Sequence, residues 1–501
     1  MKFKAILAFL LVLSNLALFS QNTVKTKNDP DAYKMEHAQI GFVENNKVSY
    51  KRTEHPDAQW FPGAGYGMFI HWGIASVKQI DLSWPMIGGM KIVQYKLDSA
   101  EVRKLMEAGD YFYKNDCKVT NTCITPNEYW EQAKQFNPQN YNPEEWAKAA
   151  KAAGMKYMVF TTRHHDGFAM WPSKYGNFST KNYMGGKDLV KPFVEACRKY
   201  GLKVGLYYSG PDWYFNKDYQ DFMLYYLRKM YSNIPRLDEN LQVRTTEKSE
   251  AEKQAHYDEV ALYLKGQLTE LLSNYGKIDI IWFDGAPDIP KGNKAWKKCI
   301  TMDEIHALQP GILVSPRFFG YGDFKTFEAN LPKNVIKQNG WSEFCSTVAQ
   351  WTWGITKVPL KTPTAILEEF IKARSLNMNY LLNFGPTKDG VINEEMTNRL
   401  NEITNWMKVN GASLTDCMAL SDAETATVYA TAKDQHRYLF LLAGKKYDQI
   451  QLTSTEKVKS VRLLATGKNL NYSTENGKLT ILEKDVARTS LADVIDVELK
   501  K

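Results

Sequence analysis

The chain has 501 residues, of which 44% are hydrophobic and 24% are charged, and its formal net charge at pH 7 is +8. This composition is typical of a globular protein long enough for two domains. The 64 basic and 56 acidic residues are mixed along the chain, which argues against a basic stripe for nucleic acid. Six cysteines in this length exclude a disulfide scaffold, and no Cys-x-x-Cys spacing indicates zinc.

The amino terminus carries the pattern of a secretory signal. Two lysines precede an apolar run over residues 5–19, which has the length of a signal-peptide core and is too short to span a bilayer. We therefore predict a signal peptide over residues 1–20 and an exported protein, secreted or periplasmic, without a membrane span. Cys117 and Cys123 lie close together in a polar stretch, and the sequence leaves open whether they pair.

The mature chain divides into a long α/β region and a shorter β-rich one. Residues 21–59 are polar and aperiodic, and we predict a leader packed on the main domain. Residues 60–410 alternate short apolar segments with longer helical ones, which is typical of β/α units. Because no glycine-rich phosphate loop opens any helix, a (β/α)8-like barrel is favoured over an open doubly wound sheet. Residues 411–501 predict an antiparallel β-sandwich, since they alternate in polarity between turn residues.

Short runs of β-branched and aromatic residues predict six strands of the barrel. They are residues 67–71, 157–161, 204–208, 278–283, 312–315 and 378–384. Two insertions, residues 84–128 and 230–256, interrupt the alternation. The first of them is predicted to lie over the mouth of the barrel.

Polar and aromatic side chains follow several of these strands at their carboxyl ends. They are His71, the run Arg163 to Asp166, Tyr207, Asp284 and Arg317. Catalysis in α/β barrels takes place at this end of the strands. Asp284 ends a strongly apolar strand, so it is the leading candidate for a reacting group. Neutral histidines, Tyr, Arg and Trp together supply the donors, acceptors and flat apolar faces that a sugar ring requires.

A metal site built on His164, His165 and Asp166 is the competing interpretation. Neighbouring residues of an extended strand point to opposite sides, so we expect that His164 and His165 do not bind one ion unless the strand has ended before them. The preferred prediction has no metal and no cofactor.

The motifs together resemble those of the α-L-fucosidases of glycoside hydrolase family 29. They are GMFIHWG at 67–73, TTRHHDGF at 161–168, GLKVGLYYS at 201–209, WFDG at 282–285 and LLNFGP at 381–386. They occur in the order and at the spacing of that family, over residues 60 to 410. The resemblance implies a barrel, a carboxyl-terminal β-sandwich and retaining hydrolysis of a fucosylated oligosaccharide or polysaccharide.

The resemblance also assigns roles to residues. Asp284 matches the family nucleophile. Residues 322–328, GDFKTFE, resemble the Gly-Asp-Tyr-x-Thr-Pro-Glu stretch that carries the acid/base, so Glu328 is the first candidate and Glu343 the second. The matched sugar-binding positions are His71, Trp84, His164, His165, Tyr207, Trp282, Arg317 and Trp353. Among these, Trp282 and Trp353 match rings that pack on the sugar and its C6 methyl.

Two positions depart from the family pattern. Ser83 precedes Trp84 where relatives commonly have glutamate, and Phe327 replaces the proline before Glu328. These departures leave two alternatives open. One is a fucose-binding protein with lost or altered turnover, and the other is a related glycosidase that acts on α-L-galactosides or sulfated fucans. Linkage, aglycone and oligomeric state are not predicted.

Overall fold

The computed structural model describes residues 52–89, 99–109, 124–224, 227–228, 234–286, 298–328, 331, 335–350 and 352–500. The predicted signal peptide, most of the predicted leader, and Cys117 and Cys123 lie outside the described residues. Within the described ranges, no helix combines the length and the apolar character that crossing a bilayer requires.

Eight parallel strands form one curled sheet, which confirms the predicted (β/α)8-like architecture. They are β1 (Tyr66–Ile70), β2 (Tyr157–Arg163), β3 (Lys203–Ser209), β4 (Ile280–Asp284), β5 (Leu313–Val314), β6 (Lys325–Glu328), β7 (Ser342–Thr347) and β8 (Asn379–Phe384). The order across the sheet is β5-β4-β3-β2-β1-β8-β7-β6. All six predicted strands are present, whereas β6 and β7 were not predicted.

Asp323 joins the two edges of this sheet, β5 and β6. Its backbone N–H donates to the Val314 carbonyl at 2.9 Å, and its Oδ2 accepts from the Val314 N–H at 2.8 Å. Its Oδ1 accepts from the Thr53 N–H at 2.7 Å, so the segment before β1 is fastened to the same place. The buried carboxylate thus accepts from two backbone N–H groups, and together with the backbone N–H of Asp323 it replaces part of the hydrogen-bond ladder between the two edges.

Helices surround the barrel, and several of them begin at capping residues. Their ranges are Ser99–Glu107, Pro126–Trp130, Pro143–Ala152, Thr180–Tyr183, Val190–Lys199, Glu250–Ser273, Met302–Leu308, Pro363–Ser375 and Glu394–Asn410. The side chain of Asn142 accepts from the Glu144 N–H, with Pro143 at the first helical position. Ser249 and Glu252 form a capping box at the start of the longest of these helices.

Alternation along the strands separates the barrel interior from the layer under the helices. Trp282 of β4 belongs to the interior cluster with Phe69 and Tyr207, whereas its neighbours Ile281 and Phe283 pack in the outer core. Ala58 and Phe61, which precede β1, also belong to the interior cluster. Because period-2 alternation places Asp284 on the same side as Trp282, the strand itself aims this carboxylate into the barrel mouth.

The carboxyl-terminal region contains two antiparallel sheets. Its strands are β9 (Met418–Ala419), β10 (Thr425–Ala426), β11 (Ala430–Lys433), β12 (His436–Leu441), β13 (Gln449–Thr453), β14 (Val458–Leu463), β15 (Ser473–Glu475), β16 (Lys478–Leu482) and β17 (Asp493–Leu499). The sheet orders are β10-β13-β16-β15 and β14-β17-β12-β11-β9. Leu439, Ile450 and Val497 lie in the core that the sheets share. Asn476 and Gly477, both at positive φ, make the tight turn between β15 and β16.

Candidate active site

Asp284 is the last residue of β4 and lies at the carboxyl end of the barrel. The Tyr207 hydroxyl donates to its Oδ2 at 2.6 Å, and Arg317 Nη1 donates to its Oδ1 at 2.8 Å. Burial alone would raise the pKa of this carboxyl group. The Arg317 charge, followed by His165 and the Tyr207 hydrogen bond, outweighs burial and holds the pKa well below its usual range. Asp284 is therefore a buried anion at neutral pH.

Arg317 binds two carboxylates at once. Its Nη1 contacts Asp284, and its Nη2 lies 2.6 Å from Glu328 Oε2. Its Nε donates to Thr326 Oγ1 at 3.1 Å, and the guanidinium carbon lies 4.7 Å from the centre of the Trp282 ring. Arg317 is almost fully buried, so these contacts hold the planar group in one orientation. The guanidinium thereby fixes both carboxylates at the same mouth.

Glu328 is the last residue of β6 and is partly buried. The strand places its side chain at the rim of the barrel. Glu343, the second acid/base candidate, is fully buried near the start of β7. There it accepts from the Tyr157 hydroxyl at 2.6 Å and from Trp282 Nε1 at 2.8 Å. Burial raises the pKa of Glu343 to about 7, and both of its oxygens have donors in the barrel interior.

Three histidines follow β1 and β2, and each has a hydrogen-bond partner behind its ring. His71 Nδ1 is 2.7 Å from Asn383 Oδ1, His164 Nδ1 is 2.7 Å from Ser83 Oγ, and His165 Nδ1 is 2.5 Å from Ser209 Oγ. Burial lowers the pKa of His71 and of His165 to about 4 and that of His164 well below its usual value. All three rings are therefore neutral at pH 7.

His164 and His165 do not face opposite sides, which is the exception that the sequence analysis allowed for a strand that ends before them. β2 ends at Arg163, so strand alternation no longer applies, and the two ring centres lie 4.3 Å apart. Ligand atoms of His164, His165 and Asp284 lie within 4.8 Å of one another. Asp166 instead accepts from the Tyr129 hydroxyl and the Phe168 N–H, both at 2.8 Å. A cation in the His164, His165 and Asp284 group would lie beside the Arg317 charge, which favours an uncharged, hydroxyl-rich ligand.

Aromatic rings complete the walls of the pocket. The Trp353 ring centre is 4.9 Å from that of His71, and the Trp353 backbone N–H donates to Asp81 Oδ1 at 2.8 Å. Trp84 meets His165 edge-on at 5.4 Å from a short 3-10 helix, Trp84–Met86. Trp282 stacks under Tyr207 at 5.6 Å with only 2% of its surface exposed. Trp282 therefore supports Tyr207 and Arg317 from below.

Several residues that shape the site were not among the predicted site residues. Ser209 and Asn383 stand behind His165 and His71, and both occur in motifs that the sequence analysis quoted. Asp81 fixes the loop that carries Trp353, and nothing in its sequence context indicates that contact. Ser83 departs from the family pattern, yet its hydroxyl binds His164. These partners come from other strands and loops, so spacing along the chain does not reveal them.

The barrel and its mouth define a class of protein. Two carboxylates on one guanidinium, in a pocket of neutral histidines and aromatic rings, form the arrangement of a glycoside hydrolase. The family model for alpha-L-fucosidase matches residues 34–412. The chain belongs to the alpha-L-fucosidase family, glycoside hydrolase family 29.

Relatives with this name cover most of the chain. The tissue alpha-L-fucosidase of Rattus norvegicus is 27% identical over 82% of this chain and 82% of its own length, and that of Homo sapiens is 26% identical over 84% of each. Among solved structures, alpha-L-fucosidase isoenzyme 1 from Paenibacillus thiaminolyticus is 28% identical with a TM-score of 0.67, covering 89% of this chain and 99% of that one. A trapped covalent intermediate of a Bacteroides thetaiotaomicron enzyme has the same fold, with a TM-score of 0.68 at 23% identity over 91% of this chain and all of that one.

Proposed function

We propose that the chain is an exo-acting α-L-fucosidase that releases terminal α-L-fucose from oligosaccharides or polysaccharides with net retention. The observation that carries the proposal is the Arg317 bridge between Asp284 and Glu328. Carboxylates on neighbouring nitrogens of one guanidinium lie close together. This favours the separation of roughly 5 Å used by retaining glycosidases over the wider gap that an inverting enzyme needs for water.

In the first step Asp284 attacks the anomeric carbon of fucose. An anionic carboxylate is required, and the Arg317 and Tyr207 contacts supply one. Glu328, carrying a proton, gives it to the glycosidic oxygen, so the bond to the aglycone breaks as the bond to Asp284 Oδ forms. The product of this step is a covalent fucosyl ester, and the aglycone leaves as an alcohol.

In the second step water hydrolyses the ester. The ionised Glu328 takes a proton from the water, whose oxygen attacks the anomeric carbon from the face that the aglycone left. Asp284 leaves as a carboxylate and returns to Arg317. Two inversions give net retention, and the chemistry requires only the two carboxylates.

Three histidines and one tryptophan of the predicted set bind the sugar in this proposal. His71, His164 and His165 face its hydroxyls as neutral acceptors or donors, and Trp353 packs on its apolar face and C6 methyl. The methyl contact discriminates weakly by itself, because one extra hydroxyl in an apolar pocket changes rates by only about 10²-fold. An α-L-galactoside is therefore expected to be a slow substrate.

The amino-terminal pattern supports export, so we propose that the enzyme acts outside the cytoplasm on fucosylated glycans. Residues 1–20 would be removed on export. Amino-terminal sequencing of the protein recovered from the medium or the periplasm tests this. A mature chain that begins at Met1, or one that stays in the cytoplasm, would contradict it.

The acid/base assignment is tested with an aryl α-L-fucoside and azide. We expect that Glu328→Ala loses turnover of substrates with poor leaving groups by about 10²-fold or more. With an aryl fucoside whose leaving group needs no protonation, azide should restore turnover, because it is a nucleophile that needs no general base. It attacks the fucosyl ester from the face that the aglycone left, so the product should be α-fucosyl azide. Glu343→Gln is the matched control, because it lies in the barrel interior and should not respond to azide.

Two results would contradict the proposal. Rescue of Glu343→Gln but not of Glu328→Ala would move the acid/base role to β7. Release of fucose with inverted configuration by the wild-type enzyme, followed by NMR of the first product anomer, would exclude double displacement altogether.

A further inference from the structure

Residues behind the histidines determine which ring nitrogen of each histidine carries the proton. We propose that Ser209 and Asn383 are positioning residues that lock His165 and His71 as Nδ1–H tautomers. Both rings then present Nε2 as an obligate acceptor, and each requires a hydroxyl hydrogen from the ligand. The identity of that ligand rests on the proposed function, whereas the tautomers themselves do not.

The Ser209 hydroxyl donates its one proton to a backbone carbonyl. Ser209 Oγ lies 2.6 Å from the Pro211 carbonyl oxygen and 2.5 Å from His165 Nδ1. A carbonyl oxygen carries no proton, so the single hydroxyl proton must lie between Ser209 and Pro211. Ser209 then has only lone pairs to offer His165, and Nδ1 must donate. Arg163 Nη2 donates to the Ser209 carbonyl, which fixes this end of β3.

Asn383 imposes the same tautomer on His71. Its Nδ2 donates to the Trp353 carbonyl at 2.6 Å, which identifies that atom as the amide nitrogen. Its Oδ1 accepts from the His71 backbone N–H at 3.1 Å and lies 2.7 Å from His71 Nδ1. Because Oδ1 cannot donate, Nδ1 of His71 carries the proton.

A neutral imidazole with its proton on Nδ1 has a bare lone pair on Nε2. In His165 this atom is buried, has no hydrogen-bond partner among the described residues, and lies 3.6 Å from Asp284 Oδ2. Asp284 is also an acceptor, so two acceptors face each other across the pocket. A ligand O–H between them gives the nitrogen a donor, whereas an ether or ester oxygen there leaves His165 Nε2 without one.

His164 differs from the other two histidines. Its Nδ1 lies 2.7 Å from Ser83 Oγ. Among the contacts of the described residues, no carbonyl accepts a hydrogen bond from the Ser83 hydroxyl. Ser83 can therefore donate a hydrogen bond to His164 Nδ1 or accept one from it. Nε2 of His164 can accordingly be either a donor or an acceptor toward the ligand. The pocket thus has two fixed acceptors and one adaptable group. Replacement of the sugar hydroxyl that binds His164 should be tolerated better than replacement of the hydroxyls that bind His71 and His165.

The tautomers are measured directly by long-range 1H–15N correlation spectra of the wild-type protein with 15N-labelled histidine. His71→Gln, His164→Gln and His165→Gln assign the signals. The proposal expects the Nδ1–H pattern for His71 and His165 from pH 6 to 8. An Nε2–H pattern or a mixture at either ring would overturn it. Because this readout needs no turnover, it is independent of whether the chain hydrolyses fucosides.

Two serine variants then connect tautomer to specificity. Ser209→Ala and Ser83→Ala each remove one buried hydroxyl behind neighbouring histidines, and Ser209→Thr restores the hydroxyl at the first position. Substrates are an aryl α-L-fucoside and its monodeoxyfluoro analogues, because fluorine cannot donate a hydrogen bond. We expect that Ser209→Ala gives a mixed His165 tautomer and reduces discrimination against one analogue by about tenfold.

Ser83→Ala should change every discrimination ratio by less than about twofold, and Ser209→Thr should regain the wild-type ratio. Equal shifts in Ser209→Ala and Ser83→Ala would contradict the distinction between the two histidines. If Ser209→Ala fails to fold, the wild-type spectrum still decides between the locked and the mixed tautomer.

Discussion

Asp284 and Glu343 are both buried carboxyl groups inside one barrel, yet their pKa values are shifted in opposite directions. Arg317 and Tyr207 hold the pKa of Asp284 well below its usual range. Burial raises the pKa of Glu343 to about 7, and its direct partners, Tyr157 and Trp282, are neutral donors. A charged partner, not depth, separates the two groups.

Their positions along the strands explain why only one has such a partner. Asp284 ends β4 at the mouth, where Arg317 enters after β5 and reaches Glu328 as well. Glu343 is the second residue of β7 and faces the aromatic interior. The same type of side chain is thus an anion at the mouth of the barrel, where we propose that it is the nucleophile, and a support for Trp282 further down.

The largest effect is expected at Asp284. Asp284→Ala should reduce kcat by about 10⁴-fold or more, because the covalent route is lost. Asp279→Asn, which lies directly before the first residue of the same strand, is the matched control. Its side chain accepts from the Val204 N–H at 2.9 Å, away from the mouth, so turnover should change by less than about threefold. Steady-state kinetics on an aryl α-L-fucoside compare the two.

Removal of the Arg317 charge should bring Asp284 closer to Glu343 in acid strength. In Arg317→Gln the pKa of Asp284 rises, so the acid limb of kcat/KM should move to higher pH by about one unit or more. Arg317→Lys keeps a charge and should shift the limb less. A pH profile of Arg317→Gln that coincides with the wild-type profile would show that Arg317 does not set this pKa.

Glu343→Gln should affect stability more than turnover. Between pH 5 and 7 the folded protein retains a proton on Glu343 that the unfolded chain has lost, so this group makes the wild type less stable as pH rises. Glutamine cannot titrate, and the change should remove on the order of 2–3 kcal/mol of that pH dependence. Thermal unfolding of both proteins at pH 5 and pH 7.5 measures it. A difference in Tm that is the same at both pH values would contradict the raised pKa.

The smallest effect is expected at Trp353. If its ring packs on the C6 methyl, Trp353→Ala should lower the preference for an aryl α-L-fucoside over the matching α-L-galactoside by about fivefold to tenfold. Trp353→Phe keeps an apolar face and should retain most of the preference. An unchanged ratio in Trp353→Ala would place the methyl elsewhere in the pocket.

The strands that the sequence revealed and those it concealed differ in composition. β4 and β8 are apolar runs beside glycine or aromatic residues, so their pattern identifies them. β7 carries the buried Glu343, and β6 is a four-residue strand that contains Lys325 and Glu328. In the sequence such strands resemble loops, because polar residues interrupt the apolar pattern. The partners that bind these polar residues come from other strands and are visible only in the structure.

The same reason limits the prediction of the site. The candidates at strand ends could be recognised one strand at a time, because each follows an apolar run or a family motif. The Arg317 bridge, and the serines and Asn383 behind the histidines, are contacts between distant segments, which spacing does not encode. The orientation of His164 and His165 depends on where their strand ends, and the sequence does not show that it ends at Arg163.

The central claim is that Asp284 forms the covalent intermediate, and trapping tests it most directly. The wild-type enzyme is incubated with a 2-deoxy-2-fluoro fucosyl fluoride, which slows hydrolysis of the ester, and then digested and mapped by mass spectrometry. We predict one fluorofucosyl adduct, on Asp284, formed by the wild type and Asp279→Asn but not by Asp284→Ala. An adduct on another carboxylate, or turnover without any adduct on Asp284, would contradict the assignment.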